Sequence, residues 1–284
     1  MCDLGTRDRM LQISKADVGD APFPHVIKQD ILPPALFEAL RRDFPGADIF
    51  AEQQTAHGSA GSRTGTGFDL YRGDEAYGSL TVRSDAWREF DSYINSEDFA
   101  DTFREVFADQ MDHIGLRIDI AQSHVDTSYF EPRELLTETA TLADRAYSIG
   151  LKVIDPFRGR KPVSLFTRLD IHRSFGGYAK PPHCDRPNRL ASLIVYFTDA
   201  EATGLEGGEL LVFKHNRGKA VGDYERHPKP SDVTQIARLK PKPNLGVFFP
   251  CQNNSYHGVT QVTSQGVARD FLYINISGHS RSLW

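Results

Sequence analysis

Residues 163–198 read VSLFTRLDIHRSFGGYAKPPHCDRPNRLASLIVYFT, and how this stretch folds decides the architecture. Over its first eleven residues the side chains divide by parity. Val163, Leu165, Thr167, Leu169 and Ile171 share one face, and Ser164, Phe166, Arg168, Asp170 and His172 the other. A period of two is the period of a β-strand. LASLIVYFT, residues 190–198, is predicted as a second strand, so the segment PPHCDRP between them joins two strands.

Downstream the same punctuation continues. Strands are predicted over 208–213 (GELLVF), 233–239, 245–249 (LGVFF), 257–262 and 267–276 (VARDFLYINI), with turns at Glu206-Gly207-Gly208, Pro241 to Asn244 and Ser264-Gln265-Gly266. Many short strands separated by turns predict a sandwich or barrel. Upstream the period is helical. A helix opens at Pro33-Pro34, buries Leu36, Phe37 and Leu40, and ends at Pro45-Gly46. From Ser84 to Met111, Trp87, Phe90, Tyr93 and Ile94 fall on one face and Phe99, Phe103, Val106 and Phe107 on another, with a break and fresh cap at Asn95-Ser96. A further helix is predicted over about 132–149, carrying Leu135, Leu136, Leu142 and Tyr147. Residues 56–74 hold five glycines and no hydrophobic period, which predicts a long loop, either a surface excursion or a lid.

The totals restrict the class of protein. The 284 residues suffice for one large domain with a proper core, and 39% hydrophobic and 11% aromatic content is that of a globular chain. A formal charge of −5 argues against general nucleic-acid binding, which needs a basic surface. Cys2, Cys184 and Cys251 are odd in number and have no CxxC spacing, which disfavours a disulfide scaffold or zinc ribbon and fits a reducing cytoplasm. The first residues have no apolar signal core, and no stretch is long and apolar enough to span a bilayer, so neither export nor a membrane partner is expected.

His183 and Asp185 stand two residues apart in the joining segment, and His257 lies alone after GVFFP in NSYHGVT. Two imidazoles and one carboxylate are the ligand set of a facial iron(II) triad, which leaves coordination positions open, whereas a structural zinc site is closed.

Taken in order, the chain presents a strand, His-x-Asp, a strand ending in Tyr196-Phe197, Gly-Gly-Glu-Leu opening another strand, Gly-Val-Phe-Phe-Pro, His257, and Arg269 on the last long strand. This resembles the iron(II)- and 2-oxoglutarate-dependent dioxygenases, within them the prolyl 4-hydroxylase-like branch. The likeness is close over residues 163–277, and PFPHVIKQDILPPALFEALRRDFP looks like the lead-in of many bacterial members. It implies a mainly β fold with flanking helices: a double-stranded β-helix, or cupin-like jelly roll, over 163–277, buttressed by a mostly helical lead-in over 1–162, all in a single oxygenase domain of residues 1–284. It implies iron(II) as cofactor on His183, Asp185 and His257, and 2-oxoglutarate and oxygen as co-substrates. Asp185 matters within the superfamily, because related halogenases put a small residue there and bind halide.

The resemblance further implies that Arg269 pairs with the far carboxylate of 2-oxoglutarate and that Tyr196 bonds the same group, with Ser192 on the same strand face and His172 near another co-substrate position. Arg269 follows His257 by twelve residues, slightly farther than is usual in the branch. Gly207-Gly208 is read as a turn without chemistry, and Cys184 and Cys251 as structural. Around the His-x-Asp pair lie Arg168, Arg173, Lys180, Arg186 and Arg189. Arg168 and Arg186 are the candidates for contact with an anionic substrate group. The expected reaction is hydroxylation of a C–H bond in a small polar or anionic metabolite, with release of succinate and carbon dioxide. A peptide or protein side chain is the alternative substrate. A non-catalytic metal-containing jelly-roll binding module, or a cupin-like enzyme needing no keto acid, is the alternative in kind.

Overall fold

The computed structural model describes residues 10–57, 67–132, 160–218 and 224–284. The helix expected over 132–149 lies outside them but for its first residue, as do residues 58–66 of the expected loop. In chain order the elements begin with β1 (Val18–Gly19), β2 (His25–Lys28), α1 (Pro34–Arg42), α2 (Ala47–His57), β3 (Gly67–Tyr71), α3 (Glu75–Arg83), α4 (Asp85–Ile94), α5 (Glu97–Val106) and β4 (His124–Val125). The second half is strand after strand: β5 (Ser164–Ser174), β6 (Lys180–His183), β7 (Arg189–Tyr196), β8 (Leu210–His215), β9 (Val233–Leu239), β10 (Gly246–Pro250), β11 (His257–Val259) and β12 (Arg269–Gly278).

These strands form two sheets. The larger runs β1-β2-β10-β7-β12-β5-β3, with β4 also paired to β5, and the smaller runs β6-β11-β8-β9. From β5 to β12 the chain crosses back and forth between them, with β5, β7, β10 and β12 in the large sheet and β6, β8, β9 and β11 in the small one. That alternation is the double-stranded β-helix, here as two open sheets.

The parity of β5 and β12 sorts the core into two layers. Leu169, Ile171, Leu193, Val195, Phe248, Leu272 and Ile274 pack outward against the helices. Ile194, Tyr196, Val247, Phe249, Cys251 and Phe271 point inward, toward Leu210 and Val212 of the small sheet. Aromatic rings carry the outer layer: Phe197 meets Phe37 and Phe44 at 4.9 Å each, and Phe248 meets Phe107 at 5.4 Å. Ser84 sits between α3 and α4, accepting from the Trp87 amide at 3.4 Å and donating to Asp43 at 2.6 Å. Asn95 and Ser96 end α4 and start α5, as predicted, and Asn95 ties the helices to the sheet by accepting from Thr167 at 2.7 Å.

Four local expectations need correction. Residues 67–71 of the expected loop are strand β3, paired along β5 from Gly67 opposite Ser174 to Tyr71 opposite Asp170. Cross-strand partners impose that pairing, and local sequence cannot reveal it. The helices α2 and α3 were not expected. Strand β6 contains Pro181 and Pro182, which argue against a strand, but it pairs only with β11, and an edge strand tolerates missing donors. Strand β11 is three residues long, ending at Val259 and not at 262. Among the described residues no helix is long and apolar enough to cross a membrane.

Candidate metal centre

His183 closes β6 and His257 opens β11, directly opposite each other in register, with ring centroids 4.3 Å apart. Asp185 follows two residues after His183. The three residues offer ligand atoms within 4.8 Å of one another, the one such group among the described residues, and all are buried. Each imidazole is oriented by its own backbone. Nδ1 of His183 lies 2.9 Å from the Pro181 carbonyl, and Nδ1 of His257 lies 3.0 Å from that of Ser255. A carbonyl can only accept, so Nδ1 carries the proton in both rings and Nε2 is left as the lone-pair donor that a metal requires.

Burial holds both imidazoles below their usual range and therefore neutral. For Asp185 burial acts the other way, but the pull of the Arg189 cation and the bond from Ser192 outweigh it, holding the carboxyl well below the carboxylate range. Two neutral nitrogens and one anionic oxygen, buried and converging, suit a divalent first-row cation.

The Asp185 carboxylate is itself held. Oδ1 accepts from the Tyr273 hydroxyl at 2.9 Å, and Oδ2 from the Ser192 hydroxyl at 2.7 Å and the Cys251 thiol at 3.3 Å. Burial and the neighbouring carboxylate push the Tyr273 and Cys251 pKa values up, so both remain protonated donors. Ser192, expected at the co-substrate, thus has its hydroxyl on Asp185. Cys251, read as merely structural, touches it too. Cys184 is packed away with Phe213, Val233 and Tyr256.

A second pocket gathers around Arg269, which is 1% exposed. Its Nε donates to the Gly208 carbonyl at 2.7 Å and its Nη2 to the Tyr196 hydroxyl at 3.1 Å, while the guanidinium lies over Phe271 at 4.2 Å. Nη1 is buried without a hydrogen-bond partner, and among the described residues no carboxylate pairs with this cation. A buried guanidinium with a vacant donor is a receptor for an oxyanion. Gly208 makes the position possible: its φ is +74°, and a Cβ there would stand 2.7 Å from Cδ of Arg269. The glycine pair assigned no chemistry therefore shapes this pocket.

His172 faces the same space. Its ring lies 4.5 Å from Phe271, its Nδ1 bonds Asp69 of β3, and its buried Nε2 has no partner. Burial would raise the Asp69 carboxyl, but the attraction of His172, Arg168 and Lys180 takes it down to about 2.

The arginines near the His-x-Asp segment divide. Arg173 turns outward, its fork on Asp270 at 2.7 and 2.6 Å and its plane over Phe50. Arg189 donates to the Tyr273 hydroxyl at 3.0 Å and to Asn275. Arg168 is inward and 5% exposed, bonded through Nε to Asp170, and Arg186 stands 3.8 Å from Glu131. Sequence reading passed over Tyr273, Asp69 and Glu131. Of these only Tyr273 had a signal, its parity with Arg269 and Phe271 on one strand.

Residues 169–276 match the family model described as 2OG-Fe(II) oxygenase superfamily. No curated protein matches the chain. Among solved structures, a prolyl 4-hydroxylase from Phytophthora capsici is 13% identical with a TM-score of 0.44, over 91% of this chain and 60% of that one. A prolyl-4-hydroxylase from Pseudomonas putida is 12% identical with a TM-score of 0.43, over 90% and 93%. A dioxygenase for auxin oxidation in rice is 13% identical with a TM-score of 0.38, over 86% and 69%. The chain thus spans three fifths of the Phytophthora protein.

Proposed function

We propose that the protein is an iron(II)- and 2-oxoglutarate-dependent oxygenase that hydroxylates a C–H bond of a small polar metabolite, a reading supported by the match of residues 169–276 to the model of the 2OG-Fe(II) oxygenase superfamily. The observation that carries this reading is the pairing of two preformed elements. One is the neutral-imidazole and carboxylate cluster of His183, His257 and Asp185, and the other is the buried guanidinium of Arg269, whose Nη1 has no hydrogen-bond partner, in the same jelly roll. A binding module that kept a metal for stability would have no use for the second.

His183, Asp185 and His257 would hold the iron. Arg269 and the Tyr196 hydroxyl would take the far carboxylate of 2-oxoglutarate, and His172 supplies a further polar contact in that pocket. When bound, iron(II) with oxygen supplies the oxidation that converts 2-oxoglutarate to succinate and carbon dioxide and places an oxygen atom on the substrate. The chain contributes orientation and exclusion of water. Tyr273, Ser192 and Cys251 hold Asp185 as an ionised ligand, and the carbonyls of Pro181 and Ser255 keep both imidazoles in the binding tautomer. Phe271 and Phe249 wall the interior with apolar surface, which strengthens each charge interaction inside it.

The test is succinate release. Protein supplied with iron(II), 2-oxoglutarate and oxygen forms succinate, and His183→Ala abolishes it. Succinate formation that survives this change, or none from wild type across a broad substrate panel, sinks the proposal.

A further inference from the structure

Strand β3 precedes the matched stretch 169–276 in the chain and lies beside β5 at the edge of the large sheet. Register puts its residues into two rows that reach the interior. Asp69 stands opposite His172, which stands opposite Phe271, and Gly67 stands opposite Ser174, which stands opposite Arg269. The first row is thus that of the His172 ring and the second that of the buried guanidinium.

His172 is buried, and β3 acts on both of its nitrogens. Nδ1 bonds Asp69, an ionised carboxylate that can only accept, so Nδ1 carries a proton. Nε2 is buried and has no hydrogen-bond partner. The space before it is open because residue 67 is a glycine: a Cβ there would stand 2.9 Å from Nε2 and 2.9 Å from the ring of Tyr178. The His172 ring lies 5.4 Å from that of Tyr178 and 4.5 Å from that of Phe271, and the Arg269 guanidinium lies 5.9 Å and 4.2 Å from the same two rings. Nε2 of His172 and Nη1 of Arg269, both without a partner, therefore share one aromatic-walled pocket.

We propose that β3 completes the 2-oxoglutarate pocket: Asp69 is a positioning residue that fixes the His172 ring, Gly67 keeps the space before Nε2 clear, and Nε2 joins Arg269 on the carboxylate seated there. This rests on the oxygenase reading above, which names the ligand. With Asp69 on Nδ1 as counter-charge, the ring can carry a second proton, and Nε2–H then donates to the carboxylate in a charge-assisted bond. Asp69 touches no ligand itself and acts through the ring alone.

Calorimetric titration of the Mn(II)-loaded protein with 2-oxoglutarate tests it. His172→Ala is expected to weaken binding about tenfold or more, and His172→Gln, which keeps an N–H donor, to recover part of the loss. Asp69→Ala weakens it to a similar extent, and the double variant binds no more weakly than His172→Ala alone, because the two residues act as one unit. Gly67→Ala weakens binding with both side chains in place, and it decides the same point if Asp69→Ala fails to fold. Mn(II) affinity, measured in the same samples, is retained throughout. If Asp69 and His172 merely tie β3 to β5, the folded single variants bind 2-oxoglutarate as wild type does, or the losses add in the double variant. Either result overturns this inference and leaves the oxygenase reading standing. Failure of 2-oxoglutarate to bind the wild-type Mn(II) protein overturns both.

Discussion

Two side chains outside the proposed ligand set, Tyr273 and Arg269, carry the predictions at the level of single residues. Tyr273 donates to Asp185 and is in turn bonded by Arg189. Removing the hydroxyl in Tyr273→Phe weakens Mn(II) binding by about tenfold to a hundredfold, as loss of a contact behind a metal ligand typically does. Unchanged affinity would mean that Ser192 and Cys251 suffice. Arg269→Met removes the buried cation and leaves Tyr196 without its partner. Co-substrate affinity is expected to fall by two orders of magnitude or more, since a fully buried charge contact is worth on the order of 2–5 kcal/mol. Metal affinity, measured in the same samples, is retained. Metal binding lost together with 2-oxoglutarate binding would argue against separate pockets. The grouping of His183, Asp185 and His257 was legible in the sequence from their residue types and their order among the strands, and Arg269 was proposed from the family resemblance. Asp69 and Glu131 were not, since each reaches the site from the first half of the chain by tertiary packing that leaves no local pattern.

At the level of elements, turns and caps set the geometry. Gly208→Ala places a Cβ 2.7 Å from Arg269 at a φ of +74°. The variant loses about 1–3 kcal/mol of stability, read by urea unfolding, and binds 2-oxoglutarate more weakly because Arg269 must shift. A variant with wild-type stability and affinity would contradict the assigned role. Ser84→Ala removes one cap and costs about 1 kcal/mol with no change in co-substrate binding. The strands of the jelly roll were readable because parity and turn residues announce them. Strand β6 was not, because its two prolines deny a strand that only its edge position permits. Strand β3 was hidden in a glycine-rich segment whose pairing is dictated by β5.

Across the whole molecule, the helices and the jelly roll share one outer core in which Trp87, Phe103, Phe107 and Phe248 are fully buried. Acid exposes the electrostatic part of its stability. In Asp69, Glu97 and Glu209 burial opposes ionisation but is outweighed by bonded cations and donors, so their folded pKa values are depressed. A depressed carboxyl contributes stability above its unfolded pKa of about 4, and that contribution is lost as pH falls through the folded value. Asp170, raised by burial, acts in the opposite sense and offsets part of it. Tm is therefore expected to begin falling below about pH 6.5, where His183 and His257 take up protons in the unfolded chain but not in the folded one, and to drop further below about pH 4. An Asp69→Asn variant loses less on acidification, and a parallel decline would exclude Asp69 from the effect. The central claim is that one jelly roll holds a metal and a keto acid together at His183, Asp185, His257 and Arg269. Its most direct test is anaerobic addition of 2-oxoglutarate to the iron(II)-loaded protein. A visible charge-transfer band that saturates, vanishes in Asp185→Ala and needs more 2-oxoglutarate in Arg269→Met is the predicted result, whereas no band in wild type, or the same band in Asp185→Ala, contradicts the claim.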